Sequence, residues 1–279
     1  MIKMETELIE KIEEKPKQKK KTVEEQPRLW EFKCNAILLK KIVSKIIKVD
    51  SEVLINLTKE GLTSNVVDPA HVLMVSLDVP RKDFYTGNTC INQEIQWELF
   101  EDMKFGIDLA KLDRTLRLTG HGSDRLEGWI AGNFLHIKGE SFHKRIKLLD
   151  TAGISTTKVP ELKLGIKAEV KTGELAKLKK AISENDESVK LIVRNGLKAI
   201  IEDDDDDLTI NLCKKDDVTG TGEAIYSADY LNTLLDGFGG SWFETVTIEF
   251  DTDNPIKLEG TAGMSGNCMY LLAPRIESE

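Results

Sequence analysis

Several protein classes are excluded by what this 279-residue chain lacks. Its four cysteines, Cys34, Cys90, Cys213 and Cys268, lie far apart and form no CxxC or Cys/His ligand spacing. Neither a disulfide framework nor a zinc site is expected, and the thiols read as reduced, half-buried residues of an intracellular protein. No apolar run approaches the roughly 20 residues needed to cross a bilayer, so no membrane partner is expected. The charged start, apolar core and small-residue cleavage site of a secretory signal are missing as well. Catalytic signatures are absent: there is no GxSxG, no Walker-type glycine loop, no HExxH and no suggestive Cys/His pairing. Gly220-Thr221-Gly222 is too short to cradle a phosphate. These absences argue against an enzyme, and no cofactor or metal is expected. Acidic residues outnumber basic ones, 48 to 39, for a formal net charge of −9 and an isoelectric point near 5.2. Taken alone, that balance argues against a nucleic-acid binder. Net charge hides distribution, however.

Hydrophobic residues make up 40% of the chain, enough to bury one large core or two ordinary ones. Residues 1–28 read as a disordered extension, because KIEEKPKQKKKTVEEQP is charged and aromatic-free and cannot offset its ordering entropy. The lysines between Lys17 and Lys21 read as a solvated tail. From Leu29 onward the chain runs through one pattern twice. Gly61-Leu62 follows the strand-like VLINLT and leads to a strand ending at Leu77. Gly196-Leu197 follows VKLIV and leads to a strand ending at Leu212. The glycine-to-leucine interval is 16 positions in both halves. A basic amphipathic helix precedes each unit (36–49 and 172–183). Another helix start follows each, with Asp108 and Ser227 as N-caps. DTAGISTTKVPELK (150–163) has the Gly, Ser, Thr and Pro content of a linker. The expected fold is therefore α+β, with two similar domains, 29–149 and 164–279, each of antiparallel sheet and two helices.

The positive charge sits on the helices. In the first, Leu38, Leu39, Ile42, Val43 and Ile46 form the apolar stripe, and Lys41, Lys45 and Lys48 share another face, with Lys40 beside them. Like charges at that spacing repel by a few tenths of a kcal/mol per pair, and no acid intervenes before Asp50. The second helix carries Lys111, Arg114 and Arg117; the third carries Lys177, Lys179 and Lys180. The fourth, ADYLNTLLDGFGG, has no cation and contains Asp236. Three basic helices in an acidic chain point to a surface that meets a polyanion. No recognition helix, zinc finger or aromatic platform accompanies the lysines, so contact with double-stranded DNA would be sequence-independent and salt-sensitive.

GLTSNVVDPAHVLMVSLDVP (61–80) and MYLLAPRIESE (269–279) closely resemble the sliding clamps of the proliferating cell nuclear antigen family, the DPAHV form being nearer the archaeal members. With the duplicated layout, the resemblance spans Leu29 to Glu279. It implies a head-to-tail trimer whose helices line a DNA-filled hole, and a processivity factor for DNA polymerase that a clamp loader places on DNA. It also implies client enzymes that dock short peptides on the clamp, by helix-in-groove anchoring and strand pairing. Carried over by motif, the docking pocket comprises Val67, His71, Val72, Met74, Pro255, Leu271, Leu272, Ala273 and Pro274, covered by Val159 and Pro160 of the linker. His71 alone would read as a packed, hydrogen-bonded residue. An archaeal source would place the protein in the cytoplasm at the nucleoid, a eukaryotic one in the nucleus.

The run EDDDDD (202–207) lacks the glycine and terminal glutamate of a calcium loop and reads as a hairpin turn. On the family's pattern, a strand after this turn meets the last strand of the neighbour's first domain, ESFHKRIKL. Asp204, Asp205, Asp206 and Asp207 would then face His143, Lys144, Arg145 and Lys147 across the subunit interface and set its polarity. Two alternatives stay open: a subunit of a heterotrimeric or checkpoint-type ring, and a sequence-independent DNA-binding protein that forms no ring.

Overall fold

The computed structural model describes residues 26–84, 97–120, 124–154, 157–202, 207–238, 243–261 and 266–275. The expected tail up to residue 25, and Asp204, Asp205 and Asp206, lie outside them. The first half consists of β1 (Arg28–Asn35), α1 (Ala36–Ile46), β2 (Glu52–Leu57), β3 (Gly61–Val67), β4 (Leu73–Pro80), β5 (Trp97–Leu99), β6 (Met103–Asp108), α2 (Leu109–Leu116), β7 (Arg125–Ala131), β8 (Phe134–Lys138) and β9 (His143–Lys147). The second consists of β10 (Ile166–Lys171), α3 (Thr172–Ala181), β11 (Ser188–Val193), β12 (Leu197–Glu202), β13 (Asp207–Cys213), β14 (Val218–Thr219), β15 (Glu223–Ser227), α4 (Ala228–Gly237), β16 (Thr245–Phe250), β17 (Ile256–Thr261) and β18 (Asn267–Leu272). Strand for strand and helix for helix, the second half repeats the first.

The sheets repeat too. β5-β1-β7-β8-β9 form one sheet and β13-β12-β11-β15 another. The counterparts of both are fused into a single nine-stranded sheet, β14-β10-β16-β17-β18-β4-β3-β2-β6. The fusion is the antiparallel pair β18·β4, with Tyr270 opposite Val75 and Leu272 opposite Leu73. The two halves thus share backbone hydrogen bonds across their junction. Their equivalents β9 and β13 are edge strands, with no further strand partner among the described residues.

Local chemistry explains the repeated hairpins. Gly61 and Gly196 both adopt positive φ, +155° and +117°. A Cβ on Gly61 would collide with the Val79 carbonyl oxygen, and one on Gly196 with that of Cys213, so both hairpins need glycine for close backbone approach. The helices are shorter than their periodicity predicts: α1 ends at Ile46 and α3 at Ala181. Asp108 caps α2 by accepting a hydrogen bond from the Lys111 amide at 3.2 Å, whereas the Ser227 side chain makes no such bond to α4. In α1, Leu38, Leu39, Ile42, Val43 and Ile46 are all buried. Trp30, Phe32, Phe84 and Trp97 build an aromatic cluster under β1 and β5. Between the halves, Asp150 caps a single 3-10 turn (Thr151–Gly153), and residues 157–165 have no regular structure before β10. No helix among the described residues is long and apolar enough to cross a membrane.

Candidate nucleic-acid and docking interfaces

The four helices contact one another in the order α2·α1·α4·α3, a chain that crosses the junction between halves. Most of the expected cations lie on the surface of this layer. Arg114, Arg117, Lys111, Lys177 and Lys180 are exposed, as is Lys48, while Lys40, Lys41 and Lys179 are half-buried. Burial holds the Lys41 ammonium below its ordinary pKa. Lys45 departs from expectation. It is 4% exposed, donates to the Gly237 carbonyl at the end of α4, and lies 5.0 Å from the centre of the Phe243 ring. Its Cα is seven residues from Leu38 and three from Ile42, so it shares the apolar stripe, and its cation serves the junction instead of the surface. Beside it the Tyr270 hydroxyl donates to the Lys45 carbonyl at 2.5 Å.

The lysine-rich face is also less bare of acids than the sequence suggests. Lys111 pairs with Asp108, Arg117 with Asp113 and Lys177 with Glu174, all within one helical turn. Lys48 and Lys179 both pair with Asp236, which reaches them from α4. The Lys40 ammonium donates to the Thr119 carbonyl, and the Arg114 Nε to that of Ala110. Lys180 makes no ion pair among the described residues.

On the opposite face of the nine-stranded sheet, alternation along the strands produces a second, smaller apolar cluster. Met74, Met269 and Leu271 are buried in it, with Val67 packed alongside. Met74 stands opposite both Val67 and Leu271, so the cluster straddles β3, β4 and β18 at the junction. Two residues expected there belong elsewhere: Leu272 is fully buried in the main core and Val72 packs against that core. Leu272 is one position out of phase with Leu271 on β18, whereas Val72 lies in the loop ahead of β4, outside the alternation of that strand. The loop before β4 is organised by Asp68, whose carboxylate accepts from the amides of Ala70, Val72 and Leu73 at 3.1, 2.7 and 2.6 Å. This holds His71 at the exposed tip with φ +58°. Ala273 donates its amide to the Val72 carbonyl at 2.9 Å, which lays half-buried Ala273 and Pro274 beside the loop. Pro255 is half-buried in the turn before β17, and Val159 and Pro160 are exposed.

The edges of the two smaller sheets carry opposite charge. On β9, His143, Lys144, Arg145 and Lys147 are exposed and Ile146 is buried. His143 stacks with His136 and Trp129, its Nε2 lying 3.1 Å from the His136 Nδ1. Burial, helped by His143, Arg145 and Arg28, holds the His136 pKa down. Arg145 lies over the Phe134 ring at 4.3 Å. On β13, Asp207, Leu208 and Thr209 are exposed, and Asp207 pairs with Glu202 in register at the end of the hairpin.

A DNA polymerase sliding clamp from Methanocella arvoryzae is 30% identical over 260 residues, covering 90% of this chain and 100% of that one. The chain belongs to the DNA polymerase sliding clamp family. A clamp from Archaeoglobus fulgidus is 29% identical over 254 residues, covering 87% of this chain and 96% of its own. The solved structure of A. fulgidus PCNA with the C-terminal region of FEN-1 superposes with a TM-score of 0.78 at 26% identity, covering 90% of this chain and 100% of that one. Thermococcus kodakaraensis PCNA shares the fold, with a TM-score of 0.74 at 22% identity over 88% of this chain and 100% of its own. No family model matches. The α+β clamp fold expected from the duplicated sequence is the one observed.

Within this clamp, three contributors were not singled out by sequence. Met269 lies two residues before Leu271, so strand alternation alone assigns it to the outer cluster. Asp68, in the DPAHV motif, organises a loop through backbone amides that leave no mark on side-chain patterns. Tyr270 joins the halves through a carbonyl on α1.

Proposed function

We propose that this chain is a non-catalytic sliding clamp: a ring of identical, head-to-tail subunits that encircles duplex DNA and tethers replication and repair enzymes to it. One observation carries the reading. β18 and β4 join the halves of one chain, while their structural equivalents, β9 and β13, remain as edges at the two ends. Pairing β9 of one subunit with β13 of the next repeats the internal junction and covers both of these edges, a heterologous contact that closes into a ring. Basic β9 and the acidic run before β13 give that contact polarity. On this reading the domains are 29–149 and 164–279 with 150–163 as the connector, and the cations of the helix layer face phosphates without reading bases.

The cluster of Val67, Met74, Met269 and Leu271, with His71, Ala273, Pro274 and Pro255 at its margins and Val159 and Pro160 in the neighbouring connector, is the docking site for client peptides. The FEN-1 segment on A. fulgidus PCNA supports this use of the fold. DNA polymerase and the clamp loader are the other partners implied, and the protein works where the DNA is.

Light scattering tests the ring: the purified chain should show three times its 31.3 kDa mass. A monomeric mass with no binding of a client-type peptide would sink the proposal. Once loaded, the protein should leave linear duplex through its ends and stay on closed circles; equal loss from both would identify a binder that forms no ring. A second reading, membership in a heteromeric ring, draws on α4, which carries Asp236 and no cation. A stable trimer of this chain alone rules against it.

A further inference from the structure

Asp236 occupies the last turn of α4 and is only 22% exposed at its side chain. Its two carboxylate oxygens are engaged separately, Oδ2 by Lys48 from the first half and Oδ1 by Lys179 from the second. Both lysines are more exposed than the acid, at 52% and 39%, so their ammonium groups stand at the surface while the carboxylate is sheltered. One residue further on, Lys45 is bound to the Gly237 carbonyl. The C-terminal end of α4, the negative pole of the helix dipole, thus collects three lysines from both halves of the chain. The mutual proximity of the cations is felt: Lys179 contributes to holding the Lys48 pKa down, after burial.

We propose that Asp236 is a built-in competitor for DNA phosphate, which holds Lys48 and Lys179 in an internal ion-pair triad and so weakens the clamp's electrostatic grip. This deepens the reading of the helix layer as the DNA face and rests on it. The triad carries a net charge of +1 where two free lysines would carry +2. A phosphate approaching either lysine has to displace a carboxylate already in place, and fewer counterions leave the DNA per contact. A tether that holds its substrate by topology gains from such attenuation, because tight phosphate contacts would slow its movement along the duplex.

The test uses the full-length assembled protein and a short fluorescein-labelled linear duplex, with anisotropy titrations at a series of salt concentrations. Asp236→Asn keeps the shape and removes the charge. It should tighten binding at low salt by roughly three- to tenfold and steepen the slope of log K against log salt by about one. Asp236→Glu should behave as wild type, and adding Lys48→Gln with Lys179→Gln to Asp236→Asn should abolish the gain. Arg114→Ala with Lys180→Ala should weaken binding whatever stands at position 236. If Asp236→Asn leaves affinity and slope unchanged or weakens binding while the Arg114 and Lys180 variant loses affinity, the competitor role is wrong and the DNA face stands. If neither set changes binding, the DNA face itself is wrong. Asp236→Ser carries the same prediction should the asparagine variant fail to assemble.

Discussion

Lys45 places a cation where α1, α4 and β18 meet, against Phe243 and the Gly237 carbonyl. Burial pushes its pKa down, with Cys268 acting in the opposite sense and Lys41 reinforcing the fall. Truncating it leaves a buried carbonyl without its charged donor and a gap in the junction. Lys45→Ala should therefore cost about 2–3 kcal/mol in chemical denaturation, with the salt slope of DNA binding unchanged. A change in slope without loss of stability would return Lys45 to the DNA face. Asp83 is the acidic counterpart. It is 6% exposed, and burial raises its pKa to about 6, against the lowering effects of Lys82 and the Gly266 amide. A carboxyl with a raised folded-state pKa favours the native state below its unfolded value, near 4, and loses that contribution as pH rises through about 6. Asp83→Asn should accordingly raise the thermal midpoint at pH 7 and leave it nearly unchanged near pH 4. An equal shift at both values would exclude charge as the cause.

Individual elements show what a single sequence reveals and what it withholds. The stripe of Leu38, Leu39, Ile42, Val43 and Ile46 was legible because helical period and burial are the same signal. The partners of the lysines were not, because Asp236 lies 188 residues from Lys48 and no local pattern links them. On β4, Met74 and Val75 are adjacent, equally apolar and both buried, yet they serve opposite faces. Motif resemblance grouped Val72 and Leu272 with Met74; period-two alternation on β18 separates Leu272 from Leu271, and Val72 sits in the loop ahead of β4 against the main core. This predicts a contrast. Val75→Ala removes methyl groups from the main core and should cost about 1–3 kcal/mol of stability. Met74→Ala, in a cluster of four side chains, should cost less, yet weaken binding of a client-type peptide by tenfold or more, as a docking anchor does. Calorimetric titration beside thermal melts separates the two. A Met74→Ala variant that binds peptide normally removes the cluster from the docking site.

At the scale of the molecule, duplication is what leaves β9 and β13 over. Sixteen-residue spacings and paired glycines made the repeat readable, because each hairpin needs glycine where backbones approach closely. Which strands would remain as edges came only from the family resemblance and not from the residues themselves, since pairing joins residues as distant as Leu77 and Cys268. An unpaired edge invites any strand, and the charges of the two edges restrict that choice: cations line β9, and Asp207 opens β13. Long-range attraction of this kind sets orientation and association rate more than final affinity, and salt screens it. Arg145→Glu should therefore weaken assembly by roughly tenfold at low salt and by much less at high salt. Adding Asp207→Arg to the same chain exchanges the signs at these two positions while Lys144 and Lys147 keep β9 cationic, so direct pairing of 145 with 207 across the interface should recover part of the assembly. Sedimentation velocity across a dilution series measures the effect. If Arg145→Glu assembles as wild type at low salt, or Asp207→Arg deepens the defect, complementary charge does not govern how these edges meet.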